Sequence, residues 1–293
     1  MIDRYHLRYF LSVVDSGNFS RAAAACNVSQ PTLSVGIAKL EKALGRPLFD
    51  RTNRRVALTP AGARLLGYAR SIEAGFAGAE RAVADSGTAA TLRLGVLVTT
   101  PAHWIEAALA RTGDERRIEI VEGRDRELRE RLARGRIDLA LLALRDDDPP
   151  AAARVLLDEG YALALPAAHR LAGRAQIRAE ELVDDPMIVR RHCELLGETS
   201  RFFTARGVRP PFPARTTSDD RALGYVRAGL GVTVMPDGFR SPGVARVPLE
   251  GFAHRRTLGL LAAPHADAAT LLAEPVADAL ADALAHTGLR TAP

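Results

Sequence analysis

Cysteine is almost absent from this 293-residue chain: Cys26 and Cys193 are the only two, 167 positions apart. A disulfide framework and a CxxC-type metal site are thereby excluded, and the reducing cytoplasm is the expected compartment. Lysine is nearly as scarce, since Lys39 and Lys42 are the only two among 40 basic residues. Arginine is therefore a compositional habit of this chain, and only its placement informs. Long apolar runs are missing too. The uncharged stretch Leu94 to Ile105 spans twelve residues, against the ~20 that a membrane span needs, so no membrane partner is expected. The opening residues Met1-Ile2-Asp3-Arg4 carry charge and no apolar core, and do not read as a signal peptide. No G-x-S-x-G, Walker loop or HExxH occurs. Catalytic residues, metal and cofactor are accordingly not expected, and the chain does not read as an enzyme. What remains is an ordinary globular composition, 47% apolar and 26% charged, at a length that accommodates two domains.

The net charge of +5 is unevenly placed. Residues 1–65 carry ten Lys and Arg against four Asp and Glu, net +6, whereas the other 228 residues carry 30 against 31. An electrostatic footprint on nucleic acid is sought in such a basic segment. There, Leu7, Phe10, Leu11 and Val14 fall on one helical face that Gly17 can end. Ser20 is placed to cap a short helix from Arg21 to Cys26, with Asn27 taking the left-handed exit. Ser29 caps a third helix with Pro31 in its first turn, and Leu33, Ile37, Leu40 and Leu44 form its buried stripe. A short helix, a tight turn and a longer helix predict a helix-turn-helix whose second helix enters the major groove of double-stranded DNA. Its outward face offers Gln30 and Ser34 on one side and Thr32 and Lys39 on the other, with Pro31 and Lys42 between. Gln30 suits a base edge, the Thr32 methyl suits thymine, and the two lysines suit phosphate. Pro47–Arg51 and Arg55–Leu58 read as a two-stranded wing, with Arg51, Arg54 and Arg55 clustered at its tip to grip the backbone. Thr59-Pro60 then starts another helix.

The run Phe19-Ser20-Arg21-Ala22-Ala23, Val28 to Ser34, Ile37 to Glu41, Leu44 to Arg51 and Leu58 to Gly62 resembles the N-terminal domain of LysR-type transcriptional regulators. The resemblance implies a winged helix-turn-helix, mainly α, working in a dimer or tetramer that regulates bacterial transcription, with RNA polymerase as a further partner. One departure is Val35-Gly36, where many relatives have Arg or Gln. After Gly62, the residues Leu65, Ala69, Ile72, Phe76, Ala79 and Val83 follow 4-3-4-3-4 spacing, the seam of a coiled coil between protomers. The organisation read from this is a DNA-binding domain over 1–60, a linker helix and hinge over 61–90, and a sensor over 91–293.

In the sensor, strands and helices alternate as β-α-β-α-β and then again, predicting a parallel sheet covered on both faces. A late return of the chain divides it into lobe 1 (91–160 and 257–293) and lobe 2 (161–256). Arg134–Ala140, Leu165–Ala172 and Val226–Pro236 resemble the LysR sensor domain more loosely, which implies an α/β fold like periplasmic solute-binding proteins. A ligand in such a fold lies between the lobes, beyond the strand ends. Thr99 and Thr100, opening a helix beside His103 with no acid between Thr91 and Ile105, point to an anionic small-molecule effector, with Thr100 as the N-cap. Arg145 is a candidate counter-ion, Thr217 and Ser218 open a second helix, and His192-Cys193 precedes a third. His-Cys is placed similarly in the peroxide-sensing members of the family. Those use a second cysteine on the following helix, where this chain has Phe202 and Phe203. The sequence thus reads as a LysR-type regulator with a small-molecule sensor. The competing readings are an enzyme or solute-binding protein of two-lobe fold, and an architectural DNA binder without a ligand.

Overall fold

A computed structural model describes residues 1–50, 56–84, 91–113 and 116–285. The chain divides into two compact units: Met1–Ala90 with Glu130–Ile137 and Ala263–Asp267, and the remainder.

The first begins with α1 (Arg4–Ser16), α2 (Phe19–Ala25) and α3 (Gln30–Leu44). Asp3 caps α1 by accepting from the Tyr5 amide at 2.7 Å, and Gly17 ends it at φ 61°. The cap of α2 is Asn18 rather than the expected Ser20, and the helix starts two residues before Arg21; Asn18 accepts from the Arg21 amide at 3.0 Å. Asn and Ser cap equally well, so only the backbone path decides between them. Asn27 takes the left-handed turn at φ 54°. Ser29 caps α3 as expected, accepting from the Thr32 amide at 3.2 Å. Phe10, Leu33, Ile37 and Leu40 are fully buried at the centre of this module.

The wing strands are β1 (Phe49–Asp50) and β2 (Ala57–Leu58), antiparallel with Phe49 opposite Leu58. Phe49 anchors the wing by stacking at 5.3 Å from Phe10 and 5.6 Å from Phe19. Glu41 ties it to α3, its carboxylate accepting from the Leu48 amide at 2.8 Å. The wing-tip candidates Arg51, Arg54 and Arg55 lie outside the described residues.

Helix α4 (Pro60–Ala84) starts where Thr59 caps the Gly62 amide at 3.1 Å and donates its own hydroxyl to the Pro47 carbonyl at 2.7 Å. The expected protomer seam along it needs correction. Ala69 is fully covered by its own module, and Leu65 packs against the same core. Heptad spacing marks an apolar stripe and not what covers it. Ile72, Phe76, Ala79 and Val83 are exposed, so only this second half is open to a partner helix. Its neighbour α1 is tied alongside by Arg4 to Glu73 at 3.0 Å and by Arg70 to Asp15 at 3.2 Å, and Arg4 lies 4.0 Å over the Phe76 ring.

Beyond residue 91 the order is β3 (Leu92–Leu97), α5 (Ala102–Thr112), β4 (Ile118–Gly123), α6 (Asp125–Ala133), β5 (Leu139–Ala143) and β6 (Ala153–Pro166). Then come β7 (Ile188–Arg190), α7 (Leu196–Ala205), β8 (Ala214–Thr216), α8 (Asp219–Arg227), β9 (Thr233–Pro236), β10 (Val244–Pro248), β11 (Arg255–Ala262), α9 (Ala268–Leu272) and α10 (Pro275–Ala285). β3, β4 and β5 are parallel as predicted. The whole sheet is mixed, however: β11 runs antiparallel to both β5 and β6, and β6 pairs antiparallel with β9 and β10. The fourteen-residue β6 serves both halves of this seven-stranded sheet, and β11 returns beside it. The segment after β11 forms two helices, α9 and α10, because Pro275 cannot continue the first.

Candidate functional site

Helix α3 turns Leu33, Gly36, Ile37 and Leu40 inward, which leaves Gln30, Pro31, Thr32, Lys39 and Lys42 exposed and Ser34 half-buried. Gln30 donates to the Ser34 hydroxyl at 3.1 Å, and the Ser29 and Thr32 hydroxyls share a 2.7 Å hydrogen bond. The first turn is thereby ordered before DNA arrives. Among the described residues no acid pairs with Lys39 or Lys42, so their charge is free for phosphate. Val35 is 54% exposed on this face. A Cβ on Gly36 would lie 2.5 Å from the Tyr9 ring. Position 36 therefore packs α3 on α1, and only Val35 alters what the face presents to a base.

In the second unit the centre of the candidate site is a residue absent from the sequence-based set. Arg256, on β11, uses all five of its N–H donors. Nε and Nη2 donate to the Glu159 carboxylate at 2.8 and 2.6 Å. Nη2 also reaches the Thr99 carbonyl at 2.9 Å, and Nη1 donates to the Thr99 hydroxyl at 2.8 Å and to Glu194 at 2.6 Å. Tyr161 donates to the same Glu194 oxygen at 2.7 Å, and the Gly238 amide donates to Glu159 at 2.6 Å. Burial opposes the charge on Glu194, but Arg256 outweighs it and holds the carboxyl below its ordinary range. Burial drives the Tyr161 phenol up.

Thr99 is fully buried, with its carbonyl and hydroxyl both committed to Arg256. Thr100 is not the N-cap expected of it: Pro101 stands at that position without a side-chain cap, and the Thr100 hydroxyl is buried with no hydrogen-bond partner. A proline there fixes the turn through its ring, so the hydroxyl is not needed to start α5. His103 is exposed and edge-on to Trp104 at 5.8 Å. The acid-free stretch that suggested an anionic ligand is overridden by folding, since Glu159 and Glu194 arrive from distant segments. Two carboxylates meet one guanidinium there, and the cluster is not a cation-rich pocket.

His192 and Cys193 sit between β7 and α7. Arg190 forks onto Asp219 (Nη2 to Oδ2, 2.8 Å), with Nε on the other oxygen, and His192 Nε2 lies 3.1 Å from Asp219 Oδ1. Burial alone would raise the Asp219 carboxyl, but His192 and Arg190 hold it down at about 2. Its contribution to stability is present above the unfolded value near pH 4 and is lost as pH falls through about 2. A loss of about 2 kcal/mol over that interval is expected. Asp219→Asn should remove this dependence, and an unchanged acid limb in its unfolding titration would refute the assignment. The Cys193 thiol is pushed up by burial, only partly opposed by Arg190, and α7 begins three residues beyond it. Ser218 caps α8, accepting from the Arg221 amide at 3.3 Å, beside an exposed Thr217.

Three of the sequence-predicted segments therefore converge, Thr99 through Arg256 and Glu194, and Ser218 through Asp219 and His192. Arg145 does not join them, because its guanidinium pairs with Asp125 and its amide with Asp148 at 2.8 Å. Arg256, Glu159, Glu194 and Tyr161 escaped sequence reading. The paired Arg255-Arg256 entering a buried strand was the only available hint. Among the described residues no group of three metal-ligating side chains occurs, and no helix is long and apolar enough to cross a membrane.

Comparison with known proteins identifies both parts of the chain. Residues 5–63 match the bacterial regulatory helix-turn-helix model of the lysR family, and residues 85–285 match the LysR substrate binding domain. A probable hydrogen peroxide-inducible genes activator of Mycobacterium avium is 35% identical over 267 residues, covering 88% of this chain and 83% of the relative. A full-length OxyR mutant from Pseudomonas aeruginosa is similar in structure, with 26% identity, TM-score 0.54, and coverage of 97% of this chain and 95% of that one. An H2O2-bound OxyR mutant of Corynebacterium glutamicum has 25% identity and TM-score 0.54, covering 99% and 97%. The chain belongs to the LysR family of DNA-binding transcriptional regulators, with an effector-binding domain behind its helix-turn-helix.

Proposed function

We propose that this regulator reads DNA through α3 as a homo-oligomer in the cytoplasm, with RNA polymerase as a downstream partner, and that its sensor responds without an internal disulfide. The observation that carries the DNA reading is the exposed face of Gln30, Thr32, Lys39 and Lys42 above a fully buried stripe. Pairing of two chains rests on the open half of the α4 seam. The names of the relatives make peroxide the first effector to test. Cys193 is the only cysteine in the second unit, and Phe202 and Phe203, both buried, occupy the next helix. Reversible binding of a small molecule near Thr99, His192, Cys193 and Ser218 fits these facts better than thiol oxidation.

Titration against DNA selected from genomic fragments tests both parts. Lys42→Ala should weaken binding to every sequence and reduce the salt slope by about 1. Gln30→Ala should change site preference by about 1–3 kcal/mol at one base pair. Prior treatment with H2O2 should leave the affinity of the parent within about twofold, less than 0.5 kcal/mol. An unchanged salt slope in Lys42→Ala overturns the DNA face; a peroxide response lost in Cys193→Ser overturns the redox-independent sensor.

A further inference from the structure

The second unit carries a half-open groove of about 790 Å³ between α7 and β7, continued by the segment 208–215. Its volume falls within the range of small-molecule sites, roughly 300–1,000 Å³. Ile188, Phe203, Val208 and Val234 line the interior and are buried or half-covered apolar side chains, while Leu196 and Phe212 stand 37% and 46% exposed at the rim. The charge of this groove is one-sided. Eighteen residues line it, of which three are arginines and none is Asp or Glu. Arg190 is committed to Asp219, but Arg209 and Arg215 have no ionic partner among the described residues, and Arg215 lies 5.6 Å from the Phe212 ring. Both are exposed at the edge of an apolar floor, and no carboxylate in the lining neutralises them. None of Thr99, Thr100, His103, Arg145, Thr217 or Ser218 reaches it; Cys193 alone of the sequence-predicted sensor residues is in its wall.

We propose that this groove is a second ligand site, separate from the Thr99–Arg256–Glu194 cluster, for an amphipathic monoanion with an apolar body and a single carboxylate. The apolar body displaces water from the floor, and the carboxylate pairs with Arg209 and Arg215 at the mouth, where charge-assisted bonds fix its orientation. A small hydrophilic anion lacks the first contribution and a neutral lipid lacks the second.

The test uses the full chain carrying Cys26→Ser, so that Cys193 is the only thiol, and follows its alkylation by N-ethylmaleimide at alkaline pH. Decanoate, kept below its micellar range, is the probe, and decanol is the uncharged control. Decanoate should slow alkylation about tenfold at ten times its Kd, following site occupancy. Arg209→Gln and Arg215→Gln should each raise the concentration for half-protection about tenfold, the loss of one charge-assisted bond. Unchanged urea unfolding of both variants, followed by the fluorescence of Trp104, the single tryptophan and buried in the same unit, will show that they are folded. Absence of protection overturns the proposal, and so does equal protection by decanol or equal protection in the arginine variants. Protection that follows protein concentration instead of decanoate would show a second copy over the groove and also overturns it. None of these readouts depends on the DNA titration, so this site and the regulatory reading can fail separately.

Discussion

Replacing Arg256 by methionine is expected to destabilise the second unit by about 3–5 kcal/mol, the cost of leaving a buried charge without its partner. Glu159, whose side chain is fully buried, would keep only the Gly238 amide as a donor. Glu194 would retain Tyr161 and lose its cation. Arg256→Lys preserves the charge but offers three donors where five are used, so it should recover only part of the loss. Trp104 is the single tryptophan of the chain and is buried in the second unit. Its fluorescence during urea unfolding therefore follows this unit without interference from the first. A loss of under about 1 kcal/mol would place the pair among solvated ion pairs and discard the cluster as a structural centre. The double variant with Glu159→Gln should be less damaging than the two separate losses added together, since each single variant orphans the other's charge.

Gly62→Ala is the second large effect, in the other unit. A Cβ at this position would lie 2.2 Å from the Leu48 carbonyl oxygen and 2.8 Å from Leu58 Cδ2. The obstacle is backbone, and that carbonyl already accepts from the Thr59 amide at 3.0 Å. Little can give way, so the cost should approach about 3 kcal/mol, the upper part of the overpacking range. Gly67, further along α4, has nothing within 4 Å of an added Cβ. Gly67→Ala should stabilise the helix by about 0.5–1 kcal/mol through propensity alone. Hydrogen-exchange protection of the α1–α3 amides distinguishes the pair. If both variants shift protection alike, the close approach of α4 to Leu48 is not what positions the wing.

The DNA-binding module was largely legible because its signals are local. Gly17, Ser29, Pro31 and Thr59-Pro60 act within a few residues of themselves, and the structure returns them as caps and stops. Asn18 was missed because Ser20 satisfies the same rule. The sensor's strand and helix order could also be read, since period and punctuation are local too. Its mixed sheet could not, because β6 and β11 acquire their direction from partners roughly a hundred residues away in sequence, such as Thr257 opposite Asp158. The same distance hid the polar cluster. Nothing in Thr91 to Ile105 signals that Glu159 and Glu194 will gather around Thr99, or that Arg256 will use every donor there. Ala69 illustrates the opposite limit: its spacing was read correctly, and its covering surface belongs to its own module.

That early burial of the α4 stripe has a mechanical meaning. With its first turns packed into the module's core and Arg4, Arg8 and Arg70 clasping acids between α1 and α4, the helix is a rigid extension of the part that holds α3. Its 25 residues make a lever of about 37 Å, so a tilt of about 10° about the first turn sweeps the last turn through about 6 Å. Read in reverse, a displacement of a few ångströms imposed on the exposed far end is geared down to a small, accurate rotation of the reading helix.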